Sequence, residues 1–414
     1  MKIVSLHLKN FRSAIELEMS FNDRINVFYG INGAGKSTIL EAVAILLSWL
    51  SSRIKSPNGS GRAIDVNDIN NEASSTSIGL EVSHLNQSFV WSAVKNRPGR
   101  QNFEVKSNLA QASELSKFLV ENSDPQYPIL AFYPVTRAVI DIPLRIRGKH
   151  IFGPLNAYEN ALSSAADFRT FFEWFRERED LENEKMRDSI NPVKDPQLEA
   201  VRSALVNFLP GFSNLTVRRD PLRMEVKKDQ KTLLVNQLSD GEKCLLALVG
   251  DLARRLAIAN EKPKCSPLEG EGIVLIDEID LHLHPEWQRK VIPCLLKTFP
   301  NCQFFISTHS PLVLNQLLPE NLFMLRNEEN GLVFSQPRES YGKNSTRVLE
   351  DLMGLETTQT DDVSQALKTI FLQITENLIG EARNGIAQLR KNGFDDPELQ
   401  RAETLIRRKE LIGK

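Results

Sequence analysis

Cysteine, tyrosine, tryptophan and histidine are scarce in this 414-residue chain, at 4 Cys, 5 Tyr, 4 Trp and 6 His. The cysteines, Cys244, Cys265, Cys294 and Cys302, form no CxxC pair and match neither a zinc-ligand spacing nor a disulfide framework, so reduced thiols are expected. Long apolar runs are missing too. The longest, residues 42–50 (AVAILLSWL), falls far short of the roughly 20 residues that cross a bilayer. The N-terminal MKIVSLHLKNFRS alternates apolar and polar side chains where a secretory leader has an unbroken hydrophobic stretch. A cytoplasmic protein without membrane contact is expected. Charge of one sign is also lacking: 51 Lys and Arg against 53 Asp and Glu give a formal net charge of -2, so any nucleic-acid contact needs a local patch. Hydrophobic residues at 41% and charged ones at 25% are globular values, which exclude collagen-like and disordered classes.

What is present begins with β-rich segments at 2–8, 16–21 and 25–29 and a helix over 36–50. A polar stretch at 51–77 reads as an exposed loop, followed by strands near 78–83 and 88–95. Residues 160–208 favour helix, and FRTFFEWFREREDLENE (168–184) mixes aromatics with dense charge, as an inserted helical lobe would. Strands resume at 214–235, 272–277, 303–307 and 322–326, alternating with helices as in a rebuilt parallel sheet. After 361, Val363, Leu367, Ile370, Phe371, Ile374, Leu378, Ala382, Ile386 and Leu389 keep a helical period, and another helix follows Pro397.

Residues 30–37 (GINGAGKS) match GxxxxGK[ST] between a strand and a helix, the context the motif's mechanism requires. Gly33 and Gly35, with Asn32, let main-chain N–H groups wrap a β-phosphate; Lys36 neutralises the β and γ oxygens; the Ser37 hydroxyl ligates Mg²⁺; Thr38 assists at the α-phosphate. The GKNS at 342–345 lacks the upstream glycines and reads as a loop. IVLIDE (273–278) is an apolar strand ending in two carboxylates, with Asp277 suited to the Mg²⁺ shell and Glu278 to general-base work on the attacking water. LSDGEK (238–243) opens an apolar helix, and its Ser239 and Gly241 form either an anion site or a simple N-cap. His282 and His284 in LHLHPEWQ lack a third ligand and are read as structural.

The motif order NFRS (10–13), phosphate loop, LSDGEK, LIDEID and STHS (307–310) resembles the ABC-type ATPase heads of the SMC, RecF and OLD-like families. The resemblance implies an α/β fold: a P-loop NTPase head with a mixed sheet and helices, an inserted helical lobe and a helical C-terminal region. It further implies that Ser239 completes the ATP site of an opposing head, that Asp280 forms the D-loop, that His309 is the γ-phosphate switch, and that Arg12 lies near the nucleotide. A confident Q-loop glutamine is missing; the stretch at 129–139, with Tyr133 and Arg137, is the nearest substitute. Without sustained heptads or a CxxC hook between the phosphate loop and LSDGEK, long-armed tethering is not expected.

FYPVTRAV, LIDEIDLHLHPEWQ, YGKNSTRVLEDLMG and the C-terminal tail are most similar to the PtuA-type ATPases of Septu and retron-associated antiphage systems. That likeness implies ATP and Mg²⁺ as cofactors, a head-to-head homo-oligomer, an HNH-type nuclease partner (PtuB) and nucleic acid as a further candidate partner. The corresponding divisions are 1–140 and 214–340 for the two parts of the head, 141–213 for the inserted lobe and 341–414 for a partner-docking region. The aromatic helix near Trp174 and the C-terminal helices are candidate docking surfaces, although packing within the chain is the simpler reading. Arg145, Arg147 and Lys149, then Arg218, Arg219 and Arg223, then Arg407, Arg408 and Lys409, are candidate phosphate contacts. The competing reading is a RecF/SMC-like repair ATPase that clamps DNA.

Overall fold

A computed structural model describes residues 1–98, 106–121, 126–135, 152–163, 168–188, 193–260, 266–355, 357 and 359–412. They divide into two units, Met1–Lys343 and Asn344–Lys414.

In the first unit, strands β1 (Lys2–Phe11), β2 (Ala14–Ser20), β4 (Ser75–His84) and β5 (Gln87–Asn96) form an antiparallel sheet in the order β2-β1-β4-β5. Period-two alternation in β4 puts Ile78, Leu80 and Val82 on one buried face, where they join a core that includes Leu46 and Leu50. Those two residues belong to helix α1 (Lys36–Lys55), which is apolar nearly all round and lies inside the core. Among the described residues it is the one helix long and apolar enough to cross a membrane, and most of it is buried inside the protein.

The second sheet holds the chemistry. It runs β13-β12-β3-β11-β10-β6, built from β3 (Ile25–Tyr29), β6 (Ile129–Tyr133), β10 (Gly272–Ile276), β11 (Cys302–Ser307), β12 (Leu322–Glu328) and β13 (Gly331–Ser335). Pairing is parallel except between β12 and β13. Strands β3, β6, β10 and β11 are buried along their whole length, as near-continuous apolar runs of a covered parallel sheet should be. Because β11 lies between β3 and β10, the three segments that leave their carboxyl ends emerge side by side.

Two expectations are corrected. The strands at 214–235 do not rejoin the parallel sheet: β7 (Phe212–Arg219), β8 (Leu222–Lys228) and β9 (Lys231–Leu234) form a separate antiparallel meander. Segment 51–77 is not simply an exposed loop, since α1 continues to Lys55, Ile64 and Ile69 are buried, and a Cβ on Gly61 would meet Trp49 Cγ at 2.6 Å. The aromatics of the inserted helix follow the simpler reading and pack within the chain: Phe171, Phe172, Trp174 and Phe175 of α3 (Phe168–Asp188) are buried. Helices α2 (Ala110–Glu121), α4 (Pro196–Phe208) and α5 (Asp240–Ala259) complete this part, and Phe171 reaches α5 so closely that a Cβ on Gly250 would lie 3.0 Å from its ring. Short helices α6 (Pro285–Gln288), α7 (Val291–Thr298) and α8 (Pro311–Leu314) link the later strands.

The second unit starts with α9 (Ser345–Arg347) and a π-turn over Val348–Leu352. Helices α10 (Asp361–Thr375), α11 (Ile379–Lys391) and α12 (Pro397–Ile412) share a small core of Leu367, Ile370, Ile374, Ala382, Ile386, Leu389, Leu399, Ala402 and Ile406. The apparently continuous period after 361 is thus broken in two at Asn377, which adopts φ 67°, a left-handed turn that asparagine tolerates.

Candidate functional site

The phosphate loop is shaped by its glycines. Gly30, Gly33 and Gly35 have φ of 149°, 77° and 97°, and a Cβ on Gly30 would come within 2.4 Å of Leu325 O. Asn327 in β12 donates through Nδ2 to Gly33 O at 2.7 Å, so the β12–β13 hairpin supports the loop from outside the motif. Gly35 leads into α1, whose first turn contains no acidic residue to offset the positive end of the helix. Asn32, Gly33 and Ser37 are exposed, whereas Thr38 and Lys36 are buried. Lys36 Nζ donates to Gly30 O at 3.1 Å and Ile31 O at 3.0 Å. Burial lowers its pKa, while Glu278, Asp277 and Asp280 pull the other way, which locates the ammonium among the acidic residues of the neighbouring strand end.

Asp277 leaves β10 with a side chain only 5% exposed, and Ser37 Oγ donates to its Oδ2 at 2.8 Å. A hydroxyl and a carboxylate held this close are hard oxygen donors of the kind Mg²⁺ takes, so the residues fit that ion. The other oxygen of Asp277 accepts from Ser307 Oγ. Ser307 Oγ in turn accepts the Glu278 N–H at 2.7 Å, and Glu278 adopts φ 48°. Asp280 Oδ1 accepts from Thr308 Oγ1 at 2.5 Å and from the His309 N–H at 3.3 Å, bringing the D-loop and switch positions together, with His309 partly exposed. The acid pair, the phosphate loop and His309, far apart in sequence, therefore meet at the carboxyl end of one sheet.

Ser239 caps α5. Its Oγ and main-chain N–H both donate to Glu242 Oε2, at 2.8 and 2.9 Å, and Lys228 Nζ reaches Glu242 Oε1 at 2.5 Å. Burial pushes the Glu242 carboxyl upward, but Lys228 and Ser239 hold it below its ordinary value. A Cβ on Gly241 would lie 2.5 Å from His282 O, so a glycine there lets α5 meet the D-loop backbone. His282 takes φ 62° in that turn and His284 caps α6, and among the described residues no metal-binding group of three such side chains exists.

Arg12 sits in the β1–β2 turn at φ 52°, where its Nε meets Asp68 Oδ1 at 2.9 Å and its N–H meets Asp68 O at 2.7 Å. The next turn residue, Ser13, accepts the Leu332 N–H at 2.9 Å, and Leu332 also packs where a Gly35 Cβ would be. Tyr133 does not substitute for a Q-loop glutamine, because its hydroxyl turns into the core and donates to Asp251 Oδ2 at 2.9 Å. Arg137, Arg145, Arg147, Lys149 and Cys265 lie outside the described residues. Arg218 and Arg223 both pair with Glu225, and Arg219 pairs with Glu179 and Asp180, so that cluster is neutralised by its own chain. Lys409 donates to Ile374 O and Thr375 O at the end of α10, while Arg407 and Arg408 are exposed. The supporting roles of Asn327, Leu332 and Asp68 carry no sequence signal; Ser307 lay inside a quoted motif without a role.

Residues 25–315 match the family described as "AAA domain, putative AbiEii toxin, Type IV TA system". The retron Ec83 probable ATPase of Escherichia coli is 33% identical over 95% of this chain and 83% of its own length. Septu protein PtuA of Bacillus thuringiensis is 24% identical, covering 85% of this chain and 84% of its own. An SMC head crystallised with the C-terminal winged-helix domain of ScpA aligns with a TM-score of 0.49 at 18% identity, covering 81% of this chain and 98% of that one. The chain belongs to this AAA-domain family and is an ATPase of the kind found in retron and Septu defence systems.

Proposed function

We propose that two copies of this chain close on ATP, Ser239 and Gly241 of one copy completing the phosphate cradle of the other, and that closure sets the state of an HNH-type nuclease partner, PtuB. The observation that carries this reading is exposure: Asn32, Gly33 and Ser37 on one side and Ser239 on the other all face solvent in the single chain, and α1 opens on a helix start with no acidic residue in its first turn. In this reading the N–H groups of residues 32–37 bind the β-phosphate, Lys36 spans β and γ, Thr38 supports the α-phosphate, and Arg12 flanks the nucleotide. Ser37 and Asp277 would hold Mg²⁺, which supplies charge neutralisation on the triphosphate when bound. Glu278 accepts the proton of the attacking water, His309 senses the γ-phosphate, and Asp280 ties that switch to the D-loop facing the second copy.

Ser239→Arg should abolish nucleotide-dependent dimerisation and cut hydrolysis by about a hundredfold, since a long side chain fills the space that the facing phosphate loop must enter. Ser239→Ala removes the same helix cap, worth about 1 kcal/mol, without blocking closure, and should dimerise. Light scattering with a nonhydrolysable ATP analogue and Mg²⁺ reads the difference; dimers of Ser239→Arg would defeat the shared site. Copurification with the operon neighbours, weighed with and without nucleotide, tests the nuclease. A chain that recovers no nuclease yet binds DNA with a steep salt dependence would instead be a RecF/SMC-like clamp.

A further inference from the structure

We infer that Ser307 is a positioning residue for ATP hydrolysis, its single hydroxyl fixing both the metal-side carboxylate of Asp277 and the main chain of Glu278. The inference rests on the ATP-site reading above and adds a residue to it. Ser307 ends β11, the strand between the phosphate-loop strand and the acidic strand, and its side chain is 0% exposed. A serine hydroxyl has one proton to give and lone pairs to receive. Here the two roles are assigned by the neighbours: an ionised carboxylate can only accept, so the proton goes to Asp277 Oδ1, and the Glu278 N–H can only donate, so the lone pair takes it at 2.7 Å. The main-chain oxygen of Ser307 also accepts the Ile279 N–H at 3.0 Å.

The geometry explains how two adjacent acids take different tasks. Asp277 is held between two hydroxyls, Ser37 on one oxygen and Ser307 on the other, which fixes the plane of its carboxylate. Glu278 then turns into the left-handed region at φ 48°, a conformation that a non-glycine residue keeps only where its surroundings impose it. The bonds from residues 278 and 279 to Ser307 hold the main chain in that conformation.

Ser307→Ala leaves a buried N–H and a carboxylate oxygen without the group that satisfied them, whereas Ser307→Thr keeps the oxygen on a residue suited to a strand. Steady-state hydrolysis, thermal midpoint and binding of a fluorescent ATP analogue are measured for both, with Lys36→Ala as the reference for the site. Ser307→Ala is expected to lose about tenfold to a hundredfold in kcat while analogue affinity stays within about threefold, and Ser307→Thr to recover most of the rate. The inference is overturned by a Ser307→Ala kcat within about twofold of wild type, by rate and affinity falling together, or by a folded, nucleotide-binding Ser307→Thr as slow as the alanine variant. Turnover that survives Lys36→Ala would instead reject the ATP-site reading itself, whatever Ser307 does.

Discussion

Glu278→Gln is expected to bind ATP with near wild-type affinity and to hydrolyse it about 10² to 10⁴ times more slowly, the range that a positioned general base contributes. Glutamine keeps the size and the Ser307-bound main chain of Glu278 but cannot take a proton from water. Lys36→Ala should fail earlier. Lys36 Nζ sits at the mouth of the loop beside Gly30 O and Ile31 O, and losing the charge-assisted bonds it would make to the β and γ phosphates, at about 1.5–3 kcal/mol each, weakens ATP binding by roughly 10² to 10⁴. Equilibrium binding of labelled ATP beside a phosphate-release assay separates the two variants. Comparable turnover in Glu278→Gln and wild type would assign the base to another residue, and tight binding by Lys36→Ala would move the phosphate site elsewhere.

The parts legible in the sequence are those whose chemistry is local. A phosphate loop must carry its glycines, lysine and serine within eight positions, and a buried parallel strand must be apolar until its end meets the ligand crevice. Long-range partners leave no such trace. Nothing near Gly33 indicates that Asn327 will hold its carbonyl, and nothing near Arg12 indicates Asp68. β-propensity at 214–235 reports strands without naming their neighbours, so the meander could not be told from a return to the parallel sheet. The aromatics over 168–184 were legible as packing residues, and Phe171 is the one that seats α3 against Gly250 of α5. Tyr133 was legible as a residue in the right strand and illegible in direction, because its partner Asp251 lies 118 positions away.

That partner sets the second large effect, on stability. Asp251 is 0% exposed in the middle of α5 and accepts from Arg254 Nη2 at 2.6 Å, Arg255 Nε at 2.7 Å and Tyr133 Oη at 2.9 Å. Arg255 is secured further by Ala157 O at 2.6 Å and Glu159 O at 3.0 Å, so the carboxylate joins the helix behind the signature serine to the acidic-strand side of the sheet. Asp251→Asn would leave two buried guanidinium groups without their counter-charge, at a cost of about 3–5 kcal/mol, or a fall of roughly 5–15 °C in thermal midpoint. Tyr133→Phe removes only a neutral donor to an oxygen that Arg255 also holds, and should cost about 1 kcal/mol while sparing turnover. The acid limb gives an independent reading. Burial drives the Asp251 carboxyl upward, but Arg255 and Arg254 overcome it and bring the pKa from 3.8 to about 2. A folded pKa below the unfolded one means stability that is complete above about pH 4 and drains away as pH falls toward 2, amounting to about 2 kcal/mol. The gap between denaturant melts of wild type and Asp251→Asn should therefore narrow by about 2 kcal/mol between pH 4 and pH 2, and a gap that stays constant across that window would mean that the carboxylate is not what balances the two arginines.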